Sequence, residues 1–164
     1  MNDSEIIVPA TAEDANEILA LYDMQKGREY CPWEDEYPSL ETIDFDLEND
    51  GLFVMKNDDG RIVAAISIDK DERVEALEFW TDSLRPGGEL SRLAVHPDYQ
   101  NRGIAPRMIT HCMSVLKERG YRSVHYMVNK LNVKALRSYS KLDMRVAGET
   151  FMYQQDFICY EKEL

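Results

Sequence analysis

The sequence of 164 residues predicts a single α/β domain, residues 1–164, with a mixed sheet of about six or seven strands and about four helices. Three observations support this class. The length suits one hydrophobic core. Hairpin signals in both halves of the chain predict antiparallel strands. Between them, the strand Leu90–Val95 leads through a glycine turn into an amphipathic helix and a second apolar strand, which predicts a right-handed unit with two parallel strands.

The first half of the chain predicts a strand, two helices and a hairpin. Ile6–Val8 fits a short strand, and Thr11 fits the N-cap of a helix whose apolar residues recur at helical spacing. Ser39 fits the N-cap of a second short helix. The two strands that follow, Leu52–Met55 and Arg61–Ile68, are joined through an Asn-Asp-Asp-Gly turn typical of hairpins.

The second half contains the parallel unit and a last hairpin. Val74–Trp80 fits either a strand or a helix, and a Pro-Gly-Gly sequence interrupts whatever precedes it. The helix after the glycine turn ends at Gly120, and Ser123–Val128 follows as the second parallel strand. A further helix comes next. The chain then closes with a hairpin that we expect to cover the sheet, formed by strands around Val146–Tyr153 and Phe157–Glu161.

Charge is distributed unevenly along the chain. The net charge is -12, and residues 1–100 hold 25 of the 31 acidic residues but 8 of the 19 basic ones. Nine acids lie between Arg28 and Asp50, whereas nine bases lie between Arg102 and Lys141. We interpret the basic segment as a phosphate-binding side and the acidic one as an attractor for a cationic substrate, with solvated surfaces as the alternative. The overall negative charge argues against nucleic-acid binding.

Composition argues against several other classes. No apolar run approaches the ~20 residues of a membrane span, and the N-terminal residues are acidic where a signal peptide would be basic, so we expect a soluble cytoplasmic protein. The three cysteines are far apart in the sequence, which predicts reduced thiols and no zinc site. The three histidines lack ligand-like spacing, and no metal is predicted.

The turn before the long helix predicts an anion site. The first turn of a helix has about four N–H groups without intrahelical partners and carries roughly half a positive charge, so a diphosphate is a natural ligand. Gly103 lets such a ligand approach the main chain, although a plain helix cap is the alternative. No Gly-Lys-Ser/Thr follows the glycine, which argues against a phosphate-loop nucleotide hydrolase.

The residues around this turn resemble motif A of the GNAT N-acetyltransferase superfamily. Its signature is Gln or Arg, two residues, Gly, one residue, then Gly or Ala, and Gln100, Gly103 and Ala105 fill these places. Downstream, Asn132–Met144 is similar to motif B, in which Asn, Ala and Tyr recur at the intervals found here. The family's usual Gly-Phe at the end of motif B is replaced by Asp143-Met144.

The resemblance implies the GNAT acyl-CoA N-acyltransferase fold, in which parallel strands 4 and 5 splay apart and the pantetheine arm of acetyl-CoA lies between them. It implies cofactor contacts through the strand backbone, the glycine turn and the motif B helix. The expected cofactor-binding residues are Leu93, Ala94, Val95, Gln100, Asn101, Arg102, Gly103, Ile104, Ala105, Arg107, Asn132 and Tyr139.

The resemblance also implies two catalytic residues. Glu89 matches a glutamate that removes a proton from the attacking amine, although a solvated edge glutamate is the alternative, and Glu75 and Glu78 are the substitutes. Tyr139 matches the tyrosine that protonates the departing CoA sulfur, although a core aromatic is the alternative. Because Cys112 falls on a buried stripe, direct transfer in a ternary complex is favoured over an acyl-cysteine intermediate.

The sequence therefore predicts an acetyl-CoA-dependent N-acetyltransferase. The expected acceptor is a primary amine, either a small cationic amine or a protein or peptide amino group. A catalytically inactive sensor or regulatory module that binds CoA or acetyl-CoA stays open as the alternative. The family resemblance also suggests a homodimer formed through the last hairpin.

Overall fold

The computed structural model describes residues 5–164, and for Ser140 the backbone alone. The described residues form one seven-stranded sheet of order β1-β2-β3-β4-β5-β7-β6 and five α-helices. The elements are β1 Ile6–Pro9, α1 Ala15–Asp23, α2 Leu40–Glu48, β2 Leu52–Lys56, β3 Ile62–Asp69, α3 Glu72–Glu75, β4 Gly87–Val95, α4 Ile104–Glu118, β5 Ser123–Asn129, α5 Val133–Ser140, β6 Arg145–Met152 and β7 Gln155–Glu163.

The helices cover the two faces of the sheet. The apolar side of α4 packs on one face, where Met108 and Leu116 contact side chains of β3, β4 and β5. On the other face, α1 and α2 pack over the first four strands through Ile18 and Ile43. Each large apolar side chain that is fully buried in these layers contributes about 1.5–3 kcal/mol. Among residues 5–164, every helix is too short or too polar to span a lipid bilayer.

The predicted splaying of strands 4 and 5 is confirmed. The parallel pairing of β4 with β5 is limited to three residue pairs and ends at Glu89 and His125. Beyond that point β4 continues to Val95 and β5 to Asn129, without pairing to each other. The facing edges of both strands are therefore open along a wedge-shaped gap.

β4 begins at Gly87, three residues before the predicted start. Its two glycines allow close packing, because a Cβ on Gly88 would lie 2.4 Å from Cδ2 of Leu116 on α4. On Gly87 a Cβ would lie 2.9 Å from Nδ1 of His125 on β5. The Pro-Gly-Gly sequence thus ends one segment and starts the central strand. The ambiguous segment before it contains one helical turn, α3, followed by irregular chain.

The prediction that the last hairpin covers the sheet was wrong. β7 pairs antiparallel with the free edge of β5 from Ser123↔Glu163 to Asn129↔Phe157, so the hairpin extends the sheet. Its outer strand, β6, is an edge that exposes Val146 and 68% of Phe151. An edge with exposed apolar residues is suited to pairing with another strand, and the homodimer stays a prediction.

Candidate active site

The turn before α4 forms an open cradle of backbone N–H groups. Gly103 is the N-cap and has left-handed backbone angles, φ 76° and ψ 16°, which favour glycine. Within the described chain, the amides of Asn101, Arg102 and Gly103 have no hydrogen-bond acceptor. A Cβ built on Gly103 would meet no atom within 4 Å, so the space in front of the cradle is open. These features fit an anion at the helix N-terminus.

Three cations surround this cradle, and we call them the basic rim: Arg28, Arg102 and Lys134. The Oε1 atom of Gln100 accepts hydrogen bonds from Arg28 at 3.2 Å and from Lys134 at 3.0 Å. The Arg102 guanidinium lies 4.9 Å from the centre of the Tyr99 ring. Across residues 5–164, none of the three forms an ion pair with a carboxylate.

Two members of the basic rim were missed by the sequence-based prediction. Lys134 lies two residues after Asn132, so its place on the first turn of α5 offered a signal. Arg28 offered none, because it begins an acidic run and lies 72 residues from Gln100 in the chain. Arg107, which was expected near the anion, donates to the Glu5 carboxylate at 3.0 Å and to the Glu5 carbonyl at 3.3 Å.

The open edge of β4 presents backbone groups to the gap. The His96 amide donates to the Val63 carbonyl on β3 at 2.8 Å, and Ala94 pairs with Ala65. Backbone groups alternate between the two edges of a strand, so those of Leu93 and Val95 point away from β3. Consistent with this direction, the Val95 carbonyl accepts from Nε2 of Gln25 at 3.0 Å and of Gln100 at 3.2 Å.

A bulge in β4 turns the strand at Arg92. The register changes from Ala65↔Ala94 to Ser67↔Ser91, so two residues of β4 oppose one residue of β3. Arg92 itself has a left-handed φ of 50°, which is unfavourable for a side chain with a Cβ. Strong contacts must therefore hold it in place.

Those contacts form a buried ion-pair network. Arg92 donates to both carboxylate oxygens of Asp46, at 2.6 and 3.1 Å, and also to Asp69 at 3.1 Å and to the Tyr37 hydroxyl at 3.0 Å. The side chains of Arg92 and Asp46 are 5% and 0% exposed. Burial alone would lower the pKa of Arg92, but the surrounding acidic groups outweigh it and the pKa is raised, so the guanidinium stays charged.

Glu89 lies where β4 and β5 separate. Its side chain is only 5% exposed, and its Oε1 atom has no hydrogen-bond partner in the described part of the chain. Burial raises the pKa of Glu89 well above its usual value, and the carboxylates of Asp69, Asp71 and Glu75 raise it further, while Arg92 acts in the opposite direction. The side chain is thus buried, in contrast to the solvated edge glutamate considered from the sequence.

We call Asp69, Asp71, Glu75 and Glu89 the acidic cluster. Asp69 is the direct partner of Glu89 across β3 and β4, and the other two acids follow on the loop into α3 and on α3 itself. The neighbouring His125, stacked on Trp80 at 4.4 Å, does not offset this charge. Burial lowers the pKa of His125 to about 4, so the ring is neutral near pH 7.

Three tyrosines gather where α5 meets the splayed part of the sheet. The half-buried ring of Tyr139 lies 4.4 Å from Tyr126 on β5 and 6.5 Å from Tyr160 on β7. Burial raises the pKa of Tyr139 to about 12, which keeps the phenol protonated at neutral pH. The buried Tyr126 hydroxyl has no hydrogen-bond partner among residues 5–164. It follows the last β4–β5 pair by one residue, and its strand pattern offered no reason to separate it from the core.

The remaining candidates have simpler environments. Asn132 is the N-cap of α5, where its Oδ1 accepts from the Ala135 amide at 3.1 Å. Glu78 is exposed on the chain after α3. Burial raises the pKa values of Cys112 and Cys159 to about 12, so both are protonated thiols at neutral pH and poor nucleophiles.

Comparisons with known proteins agree with this geometry. Residues 18–144 match the family described as the acetyltransferase (GNAT) family. An acetyltransferase from Pectobacterium atrosepticum is 30% identical over 113 residues, which cover 68% of this chain and 69% of that protein. An acetyltransferase structure from Streptococcus agalactiae superposes with a TM-score of 0.75 at 16% identity, covering 100% of this chain and 98% of the other. A chain of the NatC complex bound to Gag peptide and CoA gives 0.74 at 15% identity, covering 98% and 99%.

Proposed function

Because the chain belongs to the GNAT acetyltransferase family, we propose that it transfers the acetyl group of acetyl-CoA to a primary amine by direct attack in a ternary complex. The observation that carries this proposal is the buried, unpartnered carboxylate of Glu89 at the point where β4 and β5 separate. A base at this position can reach an amine brought to the gap between the strands.

The residues around the gap fit the parts of acetyl-CoA. The diphosphate suits the amides from Asn101 to Ala105, with positive charge supplied by the basic rim. The extended pantetheine arm has amide groups that can pair with the open backbone of Leu93 and with the N–H of Val95, whose carbonyl already accepts from Gln25 and Gln100, much as a peptide adds to a sheet edge. Asn132 orders the start of α5 and so fixes the position of Lys134 and Tyr139.

Glu89 acts as the base in this proposal. An alkylamine has a pKa of about 10, so it arrives as an ammonium ion and must lose a proton before attack. Glu89 accepts that proton directly or through one water, and the neutral nitrogen then forms its bond to the acetyl carbon. The raised pKa of Glu89 lies closer to the pKa of the ammonium group that donates the proton. A smaller pKa difference favours proton transfer.

Charge then develops on the acetyl oxygen and on sulfur. The backbone N–H of Leu93 or of Val95, on the open edge of β4, stabilises the oxyanion. As the carbon–sulfur bond breaks, Tyr139 donates a hydrogen bond to the thiolate, and the second proton of the former ammonium group passes through water to the departing sulfur, which leaves the neutral amide and free CoA thiol. Its pKa of about 12 exceeds the ~8.5 of an ordinary thiol, so complete proton transfer to sulfur is uphill and hydrogen-bond donation is its main role.

The buried carboxylate also favours an enzyme over a module that only binds CoA. Burying a charged or unpaired polar group without a partner costs several kcal/mol, and a protein that binds CoA alone gains nothing from that cost at Glu89. Surrounding acids that raise its pKa are a typical arrangement for a general base.

Two measurements test the proposal. Calorimetric titration with CoA should give saturable heat, and release of free thiol from acetyl-CoA should depend on an added amine. The amine panel should contain aliphatic amines, amino acids and basic peptides. Saturable CoA binding without amine-dependent thiol release from any acceptor would favour the binding module, and no CoA binding would contradict the proposal entirely.

A further inference from the structure

The acidic cluster is poorly neutralised by the protein. Asp69 pairs with Arg92 at 3.1 Å, but no Lys or Arg in the described chain forms an ion pair with Asp71, Glu75 or Glu89. Glu75 is exposed, Asp71 is half-buried and Glu89 is buried. Three carboxylates without ion pairs, of which Asp71 and Glu75 are close enough to act on the charge of Glu89, favour a ligand with more than one positive charge.

A second observation points to a ligand beside Glu89. Glu89 is 95% buried, yet its Oε1 atom lacks any hydrogen-bond partner in residues 5–164. A buried carboxylate oxygen without a donor is unfavourable unless a ligand supplies one. Its strand partner Asp69 and the nearby Asp71 place further negative charge on the same side.

We propose that Asp71 and Glu75 form a second cation subsite, so that the preferred acceptor is an amine carrying another positive charge several bonds from the nitrogen that reacts. This inference rests on the proposed amine acetylation. The reacting ammonium group pairs with Glu89, and the distal cation pairs with Asp71 and Glu75. A free diamine or a peptide with a nearby basic side chain would present this chemistry.

The backbone gives the approximate length of such an acceptor. Neighbouring strands lie about 5 Å apart and two extended residues span about 7 Å, so roughly 8 Å separates the backbone positions of Glu89 and Asp71. A chain of four or five carbons between two nitrogens suits this separation. Shorter diamines are expected to reach only one of the two subsites.

Asp71 has free capacity for such a cation. Its Oδ1 accepts from the Arg73 amide at 3.0 Å, and its Oδ2 accepts from the Tyr153 hydroxyl at 2.6 Å. A carboxylate can accept about four hydrogen bonds, so both oxygens retain lone pairs. The Arg73 guanidinium lies 4.8 Å from the Tyr153 ring centre and leaves the Asp71 charge without an ion pair.

The experiment compares butylamine, 1,4-diaminobutane, 1,2-diaminoethane and a short peptide with one basic side chain as acceptors for acetyl-CoA. We expect kcat/KM for 1,4-diaminobutane to exceed that for butylamine about ten-fold. In Asp71→Asn, the ratio of the two should fall to about one third of its original value or less. Because Asp71 also raises the pKa of Glu89, both acceptors share any change in the base, and the ratio alone reports the second subsite. The peptide arm distinguishes a peptide acceptor from a free diamine.

Asp71→Asn is a conservative test because Asn is also a good N-cap, and its side-chain NH2 group can donate to the Tyr153 hydroxyl oxygen in place of accepting from it. Asp59→Asn, an equal charge change at an exposed position in the β2–β3 turn, controls for long-range electrostatics. Binding of 1,4-diaminobutane to the CoA-saturated protein, measured by calorimetry, provides a readout independent of turnover.

The outcomes separate the two proposals. Equal kcat/KM for monoamines and diamines, or an Asp59→Asn effect as large as that of Asp71→Asn, would overturn the second subsite and leave amine acetylation intact. Thiol release from no acceptor, combined with Asp71-dependent diamine binding, would support the subsite and contradict the acetylation. Absence of diamine binding together with absence of turnover would overturn both.

Discussion

The basic rim and the acidic cluster use charge in opposite ways. Arg28, Arg102 and Lys134 lie at the surface around the α4 turn, without ion pairs in the described chain. In the acidic cluster, the nearby Arg92 is buried and bound to Asp46 and Asp69, and the other three acids of the cluster have no ion pair in the described chain. The unpaired charges in each region have the sign opposite to that of the expected ligand.

This difference separates the charges that stabilise the fold from the charges that are available to bind a ligand. An exposed cation keeps its hydration, so its loss affects ligand binding and hardly affects folding. The buried Arg92 has exchanged its hydration for protein contacts, so its loss should affect folding first. The predictions below test this separation, from the largest expected effect to the smallest.

Breaking the buried pair should have the largest effect. Asp46→Asn leaves Arg92 buried with one acidic partner fewer, and we expect the free energy of unfolding to fall by about 3–5 kcal/mol. Urea denaturation of the purified variant measures this change. Asp82→Asn, which removes an exposed pair with Arg85, is the matched control and should cost less than about 1 kcal/mol. Equal costs for the two variants would contradict the comparison.

The proposed base should dominate the rate. Glu89→Gln keeps the size of the side chain but cannot accept a proton, so kcat/KM should fall by about 10²-fold or more. In the wild type, kcat/KM should rise with pH through the raised pKa of Glu89, because the deprotonated form is the base. That rise should disappear in the variant and leave only the titration of the amine. A variant with the wild-type pH profile would assign the base role to water or to another acid.

Tyr139 connects the two regions, because α5 also carries Lys134 of the basic rim. Tyr139→Phe should lower kcat about ten-fold, since the phenol is expected to donate a hydrogen bond to the thiolate, while the Kd for CoA stays nearly the same. Rapid-quench measurement of a single turnover isolates the chemical step. An unchanged rate with a weakened Kd would instead make Tyr139 a packing residue.

The same Glu89→Gln variant should be more stable than the wild type at high pH. The folded-state pKa of Glu89 is above its unfolded value, so the native state binds more protons between the two values, and stability falls as pH rises through this window. The variant lacks this loss and should therefore be more stable than the wild type at pH 8, with little difference at pH 4.5. Among the other groups near Glu89, His125 stays neutral near pH 7, whereas Tyr153 and Cys159 titrate near 12. Denaturation of both proteins across this pH range checks the sign.

Single changes in the basic rim should have the smallest effect. Lys134→Gln should raise the KM for acetyl-CoA about three-fold, with kcat and melting temperature nearly unchanged, because one exposed charge contributes about 0.2–1 kcal/mol. Raising the salt concentration should reduce the difference between variant and wild type. Lys117→Gln, at the opposite end of α4, is the control. A large loss of melting temperature in Lys134→Gln would place Lys134 among the structural cations.

The sequence predicted well where local chemistry determines structure. The run from Glu89 to Ala105 predicted a strand, a glycine turn and a helix start, because β-branching, a glycine with positive φ and unpaired helix amides act within a few residues. The splaying of β4 and β5 came from the family resemblance. This splaying opens a gap beside the glycine turn. The gap brings Glu89, Gly103 and the open edge of β4 into one site.

What the sequence could not predict depends on contacts between distant segments. Arg28 reaches Gln100, and Arg92 reaches Asp46, across loops that no local pattern describes. The run from Arg28 to Asp50 was interpreted as a substrate attractor, yet its Asp46 is fully buried in the fold. The acids beside Glu89 come instead from the end of β3 and from α3. The last hairpin was misplaced because alternation identifies strands but not the edge to which they pair.

One strand, β4, carries the carboxylate, the bulge and the open edge within nine residues. Side chains on a strand alternate between faces, so inserting one residue between Glu89 and the bulge would turn Glu89 toward α4. A point substitution in this strand alters one side chain at a time. A change in the length of the strand would instead displace the carboxylate, the bulge and the open edge relative to one another. Over evolutionary time, new acceptors are therefore expected to arise through insertions in the flanking loops, while the length of this strand is kept.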